Sequence, residues 1–151
     1  MTHSIGSYVA YQAMELYNFP KEKLRNVISL ASPNINAPQQ LTYDMIQTLN
    51  QLRKQELPEH VAYFHFDGGV RDFFVGQALA KTTNLSPTSI VLHTETMKNV
   101  RLTLDHNAFL YSRIWLNQLI PFMASVTSMS LTDPQDGNVR STAQERIDLA
   151  R

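Results

Sequence analysis

A serine near the amino terminus has the neighbours of a catalytic nucleophile. Ser4 follows His3 and stands two residues before Gly6, and Thr2 occupies the place of the first glycine in the pattern G-x-S-x-G. In that pattern the serine lies on a strained strand-to-helix turn, where small flanking residues let the backbone pass close by. The sequence therefore predicts a nucleophile elbow, in which the backbone N–H of Ile5 would supply one oxyanion donor.

An acid and a base that could activate this serine follow along the chain. Asp72 lies in a loop after one predicted strand, and His106 lies in the loop after the next. A serine hydroxyl is a weak nucleophile until a histidine accepts its proton, and a carboxylate orients that histidine and stabilises its cationic form. The chain order Ser, Asp, His is the order found in α/β-hydrolases.

Other interpretations of the polar residues stay open. An isolated S-x-G is common, Asp72 could cap a helix, and Asp67 competes with Asp72 as the acid because both flank the glycine pair. Asp105 is better explained as the cap of the following helix than as a catalytic acid. His65 and His93 lie within apolar strands and fit structural residues whose ring nitrogens are satisfied.

Four apolar residues near these segments have two possible roles. They could line a pocket for an acyl chain, or they could belong to the core, where apolar side chains near a helix usually lie. The four residues are Met45, Phe73, Phe74 and Met97.

Strands and helices that could position the site alternate along the chain. Apolar runs rich in β-branched and aromatic residues predict strands at 27–30, 61–66 and 89–93. Helical patterns cover 7–17, 42–56 and 105–120, the last with a possible extension past Pro121 at a kink. Thr142 and Glu145 form a capping box that starts a further helix. This alternation is typical of an α/β protein with a parallel sheet, and polar groups past the carboxyl ends of its strands would meet at one edge.

Composition excludes several classes of function. The 151 residues include 13 basic and 13 acidic side chains, so no basic field would attract nucleic acid. Cysteine is absent, which excludes a disulfide framework and a thiolate metal site. No stretch approaches the length of apolar residues that a membrane span needs. A Ser-His-Asp mechanism requires no metal and no cofactor.

Several segments together resemble the lipase-like domain of GPI inositol-deacylases. The family's elbow reads G-H-S-M-G-G, and this chain has T-H-S-I-G-S at 2–7. Residues 27–38 look like the family's strand and its S/T-P-H-x-x-P loop, and 66–72 are similar to its G-G-x-R-D segment. Residues 103–119 resemble its S-T-D-H…W…Q-L stretch, so the resemblance covers about 2–119 in order.

The resemblance implies an activity and a role for each of the three residues. Ser4 would be the nucleophile, Asp72 the triad acid and His106 the triad base of a hydrolase that cleaves the acyl ester on the inositol of GPI anchors. Its partner would be an acylated GPI-anchor lipid or a GPI-anchored protein. The implied location is the endoplasmic reticulum membrane, reached through segments that this chain does not contain.

The chain departs from the family pattern in three places. Thr2 and Ser7 replace the two outer glycines of the elbow, and Asn34 stands where the family tends to have histidine. The strands that precede the elbow in the family and its downstream membrane spans are also missing. We therefore expect the C-terminal part of an α/β-hydrolase fold over 1–131, with about three parallel strands and flanking helices. Residues 132–151 would form a polar loop and the start of a further helix.

Two other functions remain open from the sequence. The chain could be a different lipase or esterase that shares the elbow, or a non-catalytic remnant that acts as an interaction module. A truncated fragment of this kind is expected to be inactive in isolation. Because three strands without their usual neighbours leave an apolar edge unpaired, aggregation or a borrowed partner strand is expected.

Overall fold

A four-stranded parallel sheet lies at the centre of the structure. The computed structural model describes residues 1–34, 42–52, 58–80, 87–129, 131 and 141–151. The strands are β1 (Thr2–His3), β2 (Asn26–Leu30), β3 (Ala62–Asp67) and β4 (Ser89–His93), and they are neighbours in that order. Each pair is parallel. The predicted α/β class is confirmed, and the two-residue strand β1 adds to the three predicted strands.

Helices connect the strands and follow the last of them. They are α1 (Gly6–Met14), α2 (Tyr43–Leu52), α3 (Gln77–Ala80), α4 (Ala108–Tyr111), α5 (Arg113–Met129) and α6 (Ala143–Asp148). Single turns of 3₁₀ helix lie at Lys21–Lys23 and Gly69–Arg71. In the described part of the chain, no helix combines the length and apolar character needed to cross a membrane.

Several predicted bounds differ from the observed ones. The helix predicted over 105–120 is two helices, because the backbone of Ser112 is extended with ψ of 111° and ends α4. Pro121 lies inside α5, which continues to Met129. The first helix ends at Met14 instead of residue 17. The sequence also predicts a loop at 34–40, of which 35–40 lies outside the described residues, as does the end of the second predicted helix at 53–56.

Alternate residues of β2 and β3 face two separate apolar clusters, one on each side of the sheet. The larger cluster joins the sheet to α4, α5 and α6 and includes Ile28, Leu30, Phe64, Phe66, Phe109, Trp115, Leu119 and Ile147. The smaller cluster joins it to α1 and includes Tyr8, Tyr11, Met14, Val27, Val61 and Tyr63. Strands buried on both faces appear in a sequence as continuous apolar runs, which is why their positions were predictable.

The last helix is part of the main core. Ala143 and Ile147 of α6 belong to the larger cluster. The helix begins with the predicted capping box, because Thr142 Oγ1 accepts from the Glu145 N–H at 3.2 Å and the Glu145 carboxylate accepts from the Thr142 N–H at 2.7 Å. These bonds hold the pKa of Glu145 below its usual range. The domain division after residue 131 stays a prediction.

A buried arginine fastens α6 to the amino ends of β2 and β3. The Arg146 side chain is 1% exposed, and burial lowers the pKa of its guanidinium. Its donors reach Asn26 Oδ1 at 2.9 Å and the carbonyl oxygens of Ser141 at 2.6 Å, His60 at 3.0 Å and Arg25 at 3.2 Å. A buried charge is tolerated when its donors are hydrogen-bonded in this way.

Candidate active site

Ser4 follows β1 directly and has a left-handed backbone conformation. Its φ is 54°, which is uncommon for a residue with a side chain and costs about 1–3 kcal/mol. The Ser4 N–H donates to the carbonyl oxygen of Leu30 at 2.9 Å, and α1 begins two residues later at Gly6. The structure thus places Ser4 on a strand-to-helix turn, the location at which a nucleophile elbow holds its serine.

His106 lies between Ser4 and Asp72 at hydrogen-bond distance from both. Its Nε2 is 2.8 Å from Ser4 Oγ, and its Nδ1 is 3.1 Å and 3.0 Å from the two carboxylate oxygens of Asp72. An ionised carboxylate can only accept, so Nδ1 carries the proton and Nε2 is free to accept from the Ser4 hydroxyl. The His106 side chain is 11% exposed and that of Asp72 is fully buried. This arrangement can remove a proton from the serine hydroxyl.

Backbone donors hold the Asp72 carboxylate in place. Its Oδ1 accepts from the Phe74 N–H at 3.1 Å and from the Val75 N–H at 2.8 Å. These are the contacts of a capping residue, although the helix α3 begins only at Gln77. The two interpretations of Asp72 from the sequence are therefore compatible, because one oxygen caps the turn while the carboxylate also contacts His106.

The two glycines before Asp72 bring its loop against the segment that carries His106. A Cβ on Gly68 would lie 2.3 Å from the carbonyl oxygen of Leu104, and the Leu104 N–H donates to the Gly68 carbonyl at 2.7 Å. Gly69 has φ of 74°, which favours glycine. The glycine pair is thus required for the close approach of the two loops.

His3 has a role in the site that the sequence did not predict. Its Nε2 lies 2.8 Å from the main-chain carbonyl oxygen of His106, and the two imidazole rings are 4.8 Å apart. This contact ties the elbow to the backbone of the His106 loop. The histidine before the serine in the family's elbow pattern was the available signal.

The residues that replace the family's glycines contact each other. Thr2 Oγ1 is 2.6 Å from Ser7 Oγ, and Ser7 Oγ is 2.5 Å from Ser32 Oγ. Ser7 and Ser32 are buried, so these hydroxyl groups satisfy one another beneath the elbow. A Cβ on Gly6 would meet no atom within 4 Å, so the close backbone passage expected there is not found.

Ile5 is the residue before α1, and its backbone is helical. Within the described residues no hydrogen bond donated by the Ile5 N–H is found. An unpaired N–H at the amino-terminal end of a helix can donate to an anion, because negative charge is favoured there. Its role as an oxyanion donor remains a prediction.

Asp67, the competing acid, belongs to a different pair. Its carboxylate contacts the His93 ring and accepts from the Gly69 N–H at 3.0 Å, and burial raises its pKa. Asp105 Oδ1 accepts from the N–H of Ala108, the first residue of α4, at 3.0 Å as expected of a capping side chain, although the N-cap position itself is Asn107. The described residues contain no group of three or more histidine and carboxylate side chains that could hold a metal ion.

The prediction that His65 has satisfied ring nitrogens is wrong. Its side chain lies in the buried strand β3, and neither ring nitrogen has a hydrogen-bond partner in the structure described. Burial lowers the pKa of His65 to about 4 because the charged form would lose its hydration. His65 is therefore neutral in the folded protein at physiological pH.

The four candidates for an acyl pocket separate in the structure. Phe74 is 57% exposed and its ring lies 5.3 Å from that of His106, and Phe73 is 87% exposed. Met97 packs against the larger apolar cluster. The side chain of Met45 lies outside the described residues.

Comparison with known proteins places this sheet and site in a family. A family model described as the PGAP1-like alpha/beta domain matches residues 1–129. The GPI inositol-deacylase of Emericella nidulans is 25% identical over 118 residues, and that of Aspergillus oryzae is 24% identical over the same length. Each alignment covers 69% of this chain but only 10% and 11% of the two relatives, respectively.

The fold and these matches define an α/β domain with a parallel sheet. More narrowly, the chain belongs to the PGAP1-like alpha/beta domain family, which confirms the resemblance found in the sequence. The chain spans about a tenth of the length of the curated relatives that it matches.

Proposed function

We propose that the chain carries the catalytic triad of a serine ester hydrolase. Ser4 is the nucleophile, His106 is the general base, and Asp72 orients His106. The observation that carries the proposal is the position of one imidazole ring, 2.8 Å from the serine oxygen on one side and 3.0 Å from a buried carboxylate on the other.

The geometry supports a two-step reaction. Ser4 Oγ attacks the ester carbonyl carbon while its proton passes to His106 Nε2, and the cation that forms is stabilised by Asp72. The intermediate then collapses, the proton moves from Nε2 to the leaving alcohol oxygen, and the acyl group stays on Ser4. A water molecule, deprotonated by His106, releases the acid and restores the serine.

One oxyanion donor belongs to this proposal. The Ile5 N–H, adjacent to Ser4 at the start of α1, would donate to the oxygen that becomes negative during each attack. The amino-terminal end of a helix favours that negative charge.

The substrate in this proposal is the acyl ester on the inositol of a GPI anchor. Both curated relatives are named GPI inositol-deacylase, and the family match covers the triad residues. The partner is then an acylated GPI-anchor lipid or a GPI-anchored protein, and the site of action is the endoplasmic reticulum membrane.

Hydrolysis of an inositol-acylated GPI lipid in detergent micelles tests this function, and turnover by this chain would also contradict the expectation that a fragment is inactive in isolation. We expect Ser4→Ala and His106→Ala to lower kcat by about 10⁶-fold, and Asp72→Asn by about 10⁴-fold because the wrong tautomer of His106 is favoured. Leu16→Ser, at an exposed position beyond the end of α1, is the control and should keep full activity.

Three outcomes would contradict the proposal in different ways. Unchanged hydrolysis by Ser4→Ala would show that Ser4 is not the nucleophile and would contradict the proposed triad. Preference for soluble esters over the acyl-inositol lipid would indicate another lipase or esterase. A folded protein that hydrolyses neither substrate would indicate a non-catalytic interaction module.

A further inference from the structure

Two phenylalanines are exposed beside the imidazole that contacts the serine. Phe73 is 87% exposed and Phe74 is 57% exposed. The ring of Phe74 lies 5.3 Å from the ring of His106, and the ring of His3 lies 4.8 Å from it. An apolar ring is therefore within a few ångströms of the groups that would handle an ester carbonyl.

The backbone of the segment that carries these rings is held by the site itself. Asp72 Oδ1 accepts from the N–H groups of Phe74 and Val75, so the carboxylate that holds His106 also fixes the backbone of this segment. Val75 is 1% exposed and anchors the segment in the protein. The exposure of the two rings thus results from an ordered turn whose conformation depends on the triad carboxylate.

Other exposed apolar residues lie next to the three site residues in the sequence. Ile5 follows Ser4, Val70 precedes Asp72 by two residues, and Leu110 and Tyr111 follow His106. Their exposed fractions are 37%, 71%, 56% and 66%, in the order Ile5, Val70, Leu110 and Tyr111. Exposed apolar side chains on the segments that carry the site residues offer contact area for a hydrocarbon ligand.

We propose that Phe73 and Phe74 bind the hydrocarbon chain of the acyl group that Ser4 attacks. This inference rests on the proposed function and names the residues that contact the acyl chain of the proposed substrate. Phe74, in contact with His106, packs against the part of the chain nearest the ester carbonyl, and the more exposed Phe73 packs against carbons farther along. The occupant is a fatty acyl chain, since the two rings offer apolar area and no hydrogen-bond donor or acceptor.

A binding measurement tests this surface without requiring catalysis. Fluorescence titration of the Ser4→Ala protein with dansyl-labelled undecanoic acid gives the dissociation constant. We expect Phe74→Ser to weaken binding by roughly tenfold, and Phe73→Ser with Phe74→Ser to weaken it further, because apolar contact area is lost. Leu16→Ser is the matched control, since Leu16 is also 57% exposed and follows the end of α1.

The inference would be overturned if the Phe73→Ser/Phe74→Ser protein and the Leu16→Ser control had equal dissociation constants. It would also be overturned if none of the variants, nor the Ser4→Ala protein itself, bound the labelled acid. This result does not depend on hydrolysis, so failure of the proposed chemistry is a separate outcome.

A second measurement separates chain binding from support of His106. We expect Phe74→Ser to lower kcat/KM for p-nitrophenyl dodecanoate by roughly tenfold while kcat/KM for the acetate stays within about twofold, because only the long chain reaches the rings. Equal losses for both esters would show that Phe74 only supports His106 and would overturn the inference.

Discussion

His106 is held through both ring nitrogens and through its main-chain carbonyl. Asp72 fixes Nδ1, Ser4 lies at Nε2, and His3 reaches the carbonyl oxygen at 2.8 Å. A general base needs this kind of restraint, because small displacements of a catalytic group reduce the reaction rate strongly. The contacts come from two separate segments, the end of β1 with the residue that follows it and the loop after β3, so the site depends on the sheet that places the ends of its strands together.

The hydroxyl pair beneath the elbow explains how Thr2 and Ser7 fit where the family has glycine. Their oxygens are 2.6 Å apart, and Ser7 is buried. We predict that Thr2→Val and Ser7→Ala each destabilise the protein by about 1 kcal/mol, the usual net value of such a bond. The double variant should cost about 0.5–1 kcal/mol less than the sum, because both changes remove the same contact.

Urea denaturation of the four proteins in this cycle measures the coupling free energy. Thr2→Val combined with Ser128→Ala serves as the control, since Ser128 is exposed on α5 and should give additive effects. Additive losses for Thr2→Val and Ser7→Ala would show that the two hydroxyl groups do not interact.

Strand β3 combines complete burial with polar side chains. All six of its residues are buried, and His65 pairs in register with Ser29 of β2 and Val91 of β4. A buried imidazole without hydrogen-bond partners lowers stability even when it is neutral, and protonation of the ring lowers it further. The strand therefore makes the fold sensitive to acid through a residue that takes no part in the proposed chemistry.

We predict that the free energy of unfolding falls as the pH decreases from about 6.5 to 4. The pKa of His65 is about 4 in the folded protein against an ordinary value of 6.5, so in this range the unfolded chain binds a proton that the folded protein excludes. The loss reaches ~2.5 kcal/mol at a pH near 4.5. His65→Leu should remove this part of the pH dependence.

Urea denaturation at several pH values, with the native protein and His65→Leu in parallel, measures this contribution. The raised pKa of Asp67 acts in the opposite direction and is present in both proteins, so the difference between the two curves isolates His65. Parallel curves across the acidic range would contradict the prediction.

Local sequence patterns predicted the elements that local interactions determine. The strand at 89–93 was predicted with its observed bounds, and the capping box at Thr142 is present. The two-residue β1 was missed, because so short a strand is defined only by its pairing with Ser29 and Leu30. The break at Ser112 between α4 and α5 was missed as well, since no glycine or proline stands there.

The candidate site was likewise predictable only in part from local sequence patterns. Ser4, Asp72 and His106 were selected by motif and chain order, and the structure brings their side chains together. The contact between His3 and the main chain of His106 joins residues 103 positions apart, so only the folded chain reveals it. The unpartnered nitrogens of His65 were likewise invisible, because hydrogen-bond partners on neighbouring elements cannot be read from alternation along one strand.

The molecule as a whole has different polar features at the two ends of its sheet. The carboxyl ends of the strands carry the Ser4, His106 and Asp72 contacts, whereas Arg146 closes the amino ends. At one side of the sheet, β1 pairs in register with only two residues of β2, Ser29 and Leu30. The expectation of aggregation or a borrowed strand therefore stays a prediction.

Covalent labelling by a fluorophosphonate tests the central claim most directly, because this reagent reacts with a serine only when a neighbouring base activates it. Mass spectrometry of the digested protein should locate the phosphonyl group on Ser4. The adduct should be absent from Ser4→Ala and should form at least about 10³-fold more slowly in His106→Ala. A folded protein that remains unlabelled, or one labelled at another residue, would contradict the assignment of Ser4, His106 and Asp72 as a catalytic triad.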